Sequence, residues 1–489
     1  MAGSIRHSMA ILIFFGVVLS YMLRVNLSVA ILAMVNQTAL ALENSAALNM
    51  TRSAYEHSRD VCQPANTTAE VHKRDGPFAW DQKTRGIILG SFFYGYVVTE
   101  LPGGWLAYKF GAKWIVGLGM LWTSIFTLLT PLTIYLDLNI LLALRVLEGL
   151  GEGVAFPCFH ALFAQWVPPS ERSRIPSITF AGLGIGTVVA FPFSAALCDT
   201  EMGWPLVFYV FGCLGIVWCG LWFIFGSSSP ATSRWISEKE KAFIKTALEE
   251  TVVEEENLSC SSVPWIEIIK TPAIWALWIS HIAGTWGWYT LITLLPTFFN
   301  EVLHLGISKN GIVAAVPYLC FTAVSIASGP TADFLLEKKV CSVVVLRKTA
   351  DTLGHVLPGI FLLITTAIGC NLTWAVILMC LAVGSEGFVG VGGFANNLDV
   401  SGRYAGVTFG IANTWGSICG IIAPYAAGAI TQGSTSMHQW RIVFGIVAGI
   451  YWFAAFFYLI FAQGHTAKWA VVEKPDQKKD DTFVMTGQH

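Results

Sequence analysis

Twelve apolar runs, each long enough to cross a bilayer, occupy this chain almost from end to end. A membrane helix needs about 20 mostly apolar residues. A window of that length places spans at 9–35, 84–107, 114–135, 139–164, 174–198, 204–226, 272–296, 310–334, 346–369, 373–396, 404–430 and 440–462. Hydrocarbon offers no water to backbone polar groups, so runs of this length predict helices rather than loops or open strands. Composition agrees, with 54% of the 489 residues hydrophobic and 12% charged, against about 25% charged in a soluble domain. Mean hydropathy is +0.61. The expected fold is an all-α, multi-pass membrane protein. The first span begins only eight residues in and shows no small-residue cleavage site, so it is expected to be a retained helix.

The largest break in hydropathy, 227–271, divides the spans into two sets of six. The expected organisation is an N-terminal half at 1–226, a linker at 227–271, a C-terminal half at 272–463 and a tail at 464–489. Ser237-Glu238-Lys239-Glu240 has the pattern of a capping box opening a short amphipathic helix in the linker. Lys109, Lys113, Arg172, Arg174, Lys338, Lys339, Arg347 and Lys348 fall on one side of the membrane. The excess of Lys and Arg in short loops makes that side cytoplasmic, with both termini and the linker on it. The loop at 36–83 is then lumenal or extracellular, and it carries glycosylation sequons at Asn36, Asn49 and Asn66. Asn371 opens a fourth sequon on the same side, close to the membrane, and Cys62 is left with an undecided disulfide state.

Charges inside the spans are the next constraint, because each costs several kcal/mol at bilayer depth unless it has a partner, water or a polar ligand. Arg145, Glu148 and Glu152 share one run, Leu144 to Val154. At about 100° per residue they fall within roughly 60° of one another on one helical face. Arg24 lies deep in the first span, where its planar fork suits a carboxylate or phosphate; a structural pair with a carboxylate on another helix is the competing reading. Arg145 has such a partner three residues away in Glu148, and that pair is also a switch, since protonating the acid would free the arginine. His160, two turns beyond Glu152, is read either as a proton relay or as a packing residue. His281 and His355 are read as structural, and Glu100 and Glu386 as further intramembrane acids.

Phe92, Tyr94, Tyr96, Trp286, Trp288 and Tyr289 fit helix packing or pocket lining, and Tyr94 is taken as a substrate contact. The glycines at 149, 151 and 153, at 182, 184 and 186, and at 390, 392 and 393 lie in membrane-length runs with no Walker lysine. Close helix packing and bending account for them better than a nucleotide loop. No G-x-S-x-G elbow, H-E-x-x-H or metal cluster is present, so an enzyme is not expected. Eleven cysteines without a CxxC pair read mostly as small buried apolar residues, and a net charge of −2 points to no nucleic-acid partner.

Gly104-Trp105-Leu106-Ala107-Tyr108-Lys109-Phe110-Gly111-Ala112-Lys113 and its weaker echo at Gly329 to Leu335 resemble the loop motif of the major facilitator superfamily, with Tyr108 where an acid is usual. Arg24 to Ala30, Gly90 to Tyr96 with Pro102-Gly103-Gly104, the Arg145 run, Trp166 to Ser173 and Asn397-Leu398-Asp399 together resemble the anion-transporter family. That family contains sialin, the vesicular glutamate transporters and the type I sodium–phosphate cotransporters, and sialin is the member most resembled. The resemblance implies a twelve-helix fold of two halves and transport by alternating access. It implies anion binding and switching at Arg24 and Arg145, and proton coupling at Glu148 and Glu152 without deciding between them. Leu89 and Gly284 stand where the vesicular glutamate transporters carry His and Arg, which argues against that substrate. The expected activity is proton-coupled symport of a sialic-acid-like sugar acid or an acidic amino acid by a monomer without a cofactor. Sodium-dependent phosphate or organic anion cotransport is the alternative. No acidic dileucine signal stands before the first helix or after Trp469, which tilts the expected location slightly towards the plasma membrane over a lysosomal or vesicular one.

Overall fold

The computed structural model describes residues 4–36, 38–39, 75–168, 171, 174–252, 263–432 and 436–470, and across them the chain is helical. Before the linker come α1 (Ile5–Met34), α2 (Gln82–Phe110), α3 (Ala112–Ile134), α4 (Leu138–Glu152), α5 (Ala155–Trp166), α6 (Arg174–Phe180), α7 (Gly182–Cys198) and α8 (Pro205–Phe225). The linker carries α9 (Glu238–Val252) and α10 (Trp265–Lys270). Then follow α11 (Pro272–Glu301), α12 (Ile307–Glu337), α13 (Val343–Ile368), α14 (Leu372–Ser385), α15 (Gly393–Ser401), α16 (Ala405–Thr431) and α17 (Met437–Phe461). Asn49, Asn66 and Cys62 lie outside the described residues. Cys370 is disulfide-bonded, and Asn371 caps α14 by accepting from the Trp374 amide at 3.2 Å.

Nine candidate spans among the described residues are long and apolar enough to cross a membrane. α2, the α4–α5 pair and α11 complete the twelve. α4 and α5, at 15 and 12 residues, are each too short to cross alone and together make one span. Three spans that the sequence draws as continuous are interrupted. α4 gives way to α5 at Gly153–Val154, α6 to α7 at Ala181, and a 3-10 turn at Glu386–Gly390 separates α14 from α15.

Two glycines set the closest helix contact at the interior. A Cβ on Gly95 of α2 would lie 1.9 Å from the Val146 carbonyl oxygen, and one on Gly149 of α4 would lie 1.9 Å from that of Phe92. Only glycine lets these two backbones touch. Gly111, at φ 86, joins α2 to α3 in a single residue that a side chain would strain.

At the end carrying the 36–83 loop the two halves are closed on each other. Arg85 of α2 and Glu301 of α11 form a buried ion pair there, and Gln432 Nε2 donates to Asp81 Oδ2 at 3.1 Å. At the opposite end the facing surfaces are partly uncovered, with Phe394 at 43% exposure and His160 also exposed. The N-terminus docks there onto the linker and the loop after α5. Arg6 donates to both oxygens of Glu171 at 2.9 and 3.1 Å, which gives a role to the acid in the Pro-Pro-x-Glu loop. The predicted capping box forms only in part. Ser237 Oγ accepts from the Glu240 amide at 3.3 Å, but the Glu240 carboxylate is taken by Ser4 and by the Ile5 and Arg6 amides. Burial alone would raise the Glu240 pKa; those hydrogen bonds and the Arg6 charge outweigh it and hold the carboxyl below its ordinary value.

Candidate anion site and its buried charges

α1, α2 and α4 bring together residues far apart in the chain. Arg24 reaches across from α1 and donates from Nε and Nη2 to one oxygen of Glu152, at 3.0 and 2.5 Å. One turn back along α4, Arg145 pairs with Glu148 within the helix. Thr130 of α3 donates to the Glu148 carboxylate at 2.9 Å. All four charged side chains are buried, Glu148 and Glu152 completely. Two cations and two anions leave the cluster with no net charge, the condition under which such groups survive at this depth.

Aromatic rings complete the cage. The Arg24 guanidinium carbon lies 4.6 Å from the Tyr96 ring centroid, 4.9 Å from Tyr21 and 5.3 Å from Phe92. The Phe92 ring also stands 5.3 Å from Arg145, so one ring faces both cations. Such contacts stabilise a desolvated cation by about 2 kcal/mol or more. Tyr289 of α11 touches Phe93 edge-on at 4.5 Å and closes the cage from the other half. A small cavity beside the cage is lined by Arg24, Ser28, Phe92, Arg145, Ile292 and Thr293, contributed by both halves. Glu152 Oε2 and Arg145 Nε are buried without a hydrogen-bond partner. The site therefore has bonding capacity that its own side chains leave unused.

The structure brings Arg24, Arg145, Glu148 and Glu152 together, and it separates the two acids that the sequence groups as a pair: each has its own arginine. Tyr94 is 52% exposed, whereas Phe92, Phe93 and Tyr96 form the buried stripe of α2 at helical spacing. His160 stands among aromatic rings, the surroundings of its packing reading. Its ring neighbours are Phe163, Phe180 and Phe409, and it makes no hydrogen bond to Glu152. Asn36 lies where α1 ends, its side-chain oxygen accepting from Ala39 N at 2.8 Å.

A polar bridge between the halves leaves no signature in the sequence. Glu100 of α2 accepts from Asn413 of α16, and Asn413 Oδ1 lies 3.3 Å from His281 Nε2 on α11. Glu100 was visible as an acid inside a span, but its partner 313 residues away was not.

Six-helix halves around a buried charged centre, with discontinuous helices at the middle, define the architecture of a secondary transporter. Residues 13–424 match the Major Facilitator Superfamily. Sialin of Ovis aries is 40% identical over 96% of this chain and 91% of its own length. The putative inorganic phosphate cotransporter of Drosophila melanogaster is 35% identical over 97% and 88%, and vesicular glutamate transporter 3 of Danio rerio 33% over 99% and 77%. A D-xylose–proton symporter structure superposes with a TM-score of 0.64 at 12% identity, covering 94% of this chain and 98% of that one. The chain belongs to the major facilitator superfamily, in the family of sialin, the phosphate cotransporters and the vesicular glutamate transporters. It is a multi-pass membrane transporter, and both its relatives and its fold are those of transporters rather than enzymes.

Proposed function

We propose that this transporter is a proton-coupled symporter of an organic anion, a sialic-acid-like sugar acid or an acidic amino acid, working by alternating access as a monomer. The observation that carries this reading is the neutral four-charge cluster, in which each buried arginine is held by its own carboxylate. An anion entering alone would leave one negative charge unbalanced in a low-dielectric site. An anion entering with a proton keeps the balance: protonated Glu152 releases Arg24, or protonated Glu148 releases Arg145, and the freed guanidinium takes the substrate carboxylate. The aromatic cage then offers ring faces to the apolar side of a sugar or amino acid.

Closed contacts at the loop end and uncovered surfaces at the other describe one of the two states that alternating access requires. The charge rule makes the closed end lumenal or extracellular, with the linker cytoplasmic. The sequon at Asn36 lies at that closed end, and glycosylation there is part of this topology.

The sialin relatives favour a sugar acid or acidic amino acid. The Drosophila relatives named as putative inorganic phosphate cotransporters support the second reading, sodium-driven phosphate or organic anion cotransport. The relatives give no support to a plasma membrane location, since several are named vesicular transporters. Uptake into proteoliposomes separates the two readings, with sialate, glucuronate, aspartate, glutamate and phosphate each tested under an imposed proton or sodium gradient. Acid-driven uptake of a sugar acid or amino acid, lost in Glu148→Gln or Glu152→Gln, is the expected result. Sodium-dependent phosphate uptake indifferent to pH would replace this proposal with the second reading.

A further inference from the structure

The C-terminal half buries a second group of titratable side chains that the anion site does not use. His355 on α13 is fully buried, and both of its ring nitrogens face oxygen acceptors. Nδ1 lies 2.9 Å from the Asp351 carbonyl oxygen and 3.5 Å from the Asp351 carboxylate Oδ2. Nε2 lies 3.2 Å from the Ser280 carbonyl oxygen on α11. A neutral imidazole has one N–H and one lone pair, whereas the imidazolium has two N–H groups. Carbonyl oxygens do not donate, so the neutral ring would set a lone pair against an acceptor at a fully buried position. Only the charged ring satisfies both contacts, and the fully buried Asp351 carboxylate balances it.

The surroundings are those of an exchangeable charge. Asp351 Oδ1 accepts from Ser280 Oγ at 2.7 Å and from the Gly393 amide at 3.2 Å, while Oδ2 has no hydrogen-bond donor. From α17, Tyr451 sets its ring 5.3 Å from His355 and donates its hydroxyl to Glu386, which opens the 3-10 turn after α14. Tyr318 of α12 presents a buried hydroxyl without a partner, and Tyr458 of α17 is bound to Asn396 at 2.7 Å. α11 contributes His281 and α13 contributes Arg347, which is taken up by Asp399 at 2.8 Å. A cavity of about 20 Å³ touches Ser280 and Gly393, the two donors to Asp351, and Phe394, exposed at the uncovered end. That is room for about one water.

We propose that His355 and Asp351 form a proton-binding site of the C-terminal half, separate from the arginine cluster and loaded in the conformation seen here. Release breaks one ring N–H bond and passes the proton to water in the adjoining cavity. It leaves a neutral imidazole beside an unbalanced Asp351 carboxylate, so release is favourable only once that cavity opens to solvent. Glu386, held by the Tyr451 hydroxyl, is a second buried acid beside the site.

The test has two arms, and only the second rests on the proposed symport. The first is nitrogen-15 NMR of histidine-labelled full-length protein in nanodiscs from about pH 5 to about pH 9. The His355 signals are assigned by their loss in His355→Gln or, should that variant not fold, by their shift in Ser280→Ala. Two protonated ring nitrogens at neutral pH, with one proton lost at neutral pH in Asp351→Asn, are expected. A neutral His355 at pH 7 overturns the proposal even if the arginine site carries a proton-coupled anion. A ring charged across the whole range in both wild type and Asp351→Asn also overturns it, because the proton then does not exchange. The second arm measures the proton-to-sialate ratio from reversal potentials. The expected change in His355→Gln is a fall of about one proton per substrate, and an unchanged ratio overturns the proposal.

Discussion

Replacing Arg24 with alanine removes the cation bound to Glu152 and leaves that carboxylate buried at zero exposure. Removing one member of a buried pair costs about 3–5 kcal/mol, because the survivor keeps its desolvation penalty and loses its partner. The lost contacts with Tyr96, Tyr21 and Phe92 add to that cost. Unfolding entropy of about 2.1 cal/mol/K per residue, over 489 residues, comes to about 1 kcal/mol/K. Arg24→Ala should therefore lower the melting temperature in detergent by about 3–5 °C or more. Glu152→Gln should cost a comparable amount, since it strands the cation. The double variant should recover most of the loss, because neither charge is then left alone. Tryptophan fluorescence melts of the wild type, the two single variants and the double variant give the coupling. Transport divides the same variants differently: all those lacking Arg24 are inactive, and Glu152→Gln keeps substrate exchange but loses acid-driven accumulation. Single-variant losses that simply add in the double variant, or wild-type uptake by Arg24→Ala, would refute the reasoning.

Three further outcomes follow from the geometry. Glu301→Gln weakens the buried pair that closes the loop end, so maleimide labelling of a cysteine placed at Ile88 (buried at 0%) should rise at least about tenfold; unchanged labelling would mean the pair is no lock. Gly149→Ala would put a Cβ 1.9 Å from the Phe92 carbonyl oxygen. It should separate α2 from α4 and abolish folded protein on size-exclusion chromatography, whereas Gly445→Ala, with open space around it, should behave as wild type. Glu240, with its pKa held below the ordinary value of 4.5, contributes stability that is fully present above that value and lost as pH falls through its folded pKa. The protection of the Ile5 and Arg6 amides, measured against the intrinsic exchange rate at each pH, should therefore fall on acidification, and Glu240→Gln should show the same loss of protection at neutral pH.

How much of this could be read from the sequence depends on the range over which each feature is determined. The spans were legible because apolar length is a local property, and so was the pairing of Arg145 with Glu148, three residues apart on one helix. Arg24 and Glu152 were each legible as costly buried charges, but their pairing spans 128 residues and depends on how α1 crosses α4. Tyr94 and Tyr96 both stand in the Gly-Ser-Phe-Phe-Tyr-Gly-Tyr block, and residue identity alone does not separate them. Helical phase, fixed by Gly95 against the Val146 carbonyl, would have selected Tyr96. His355 looked structural because its meaning lies in two carbonyl oxygens, and backbone acceptors leave no trace in residue identity.

The buried acids coincide with the interruptions in the helices, and that coincidence bears on mechanism. Glu152 is the last residue of α4 before the break at Gly153, and Glu386 opens the 3-10 turn that interrupts the tenth span. The fourth and tenth spans occupy corresponding places in the two halves. A broken helix exposes backbone groups that a continuous one satisfies internally, so polar partners collect at the break. A break also lets the two ends of a span move separately. Binding or losing a proton at either acid changes a charge at the hinge of its own half. Neutralising Glu152 frees Arg24 on α1, and Glu386 reports to α13 through Tyr451 and His355. Charge balance at these two hinges would then decide which end of the molecule opens, and under the proposed symport an empty carrier with both arginine–glutamate pairs intact would have a neutral N-terminal half, as a carrier bearing both anion and proton would. A carrier bearing substrate without its proton would not.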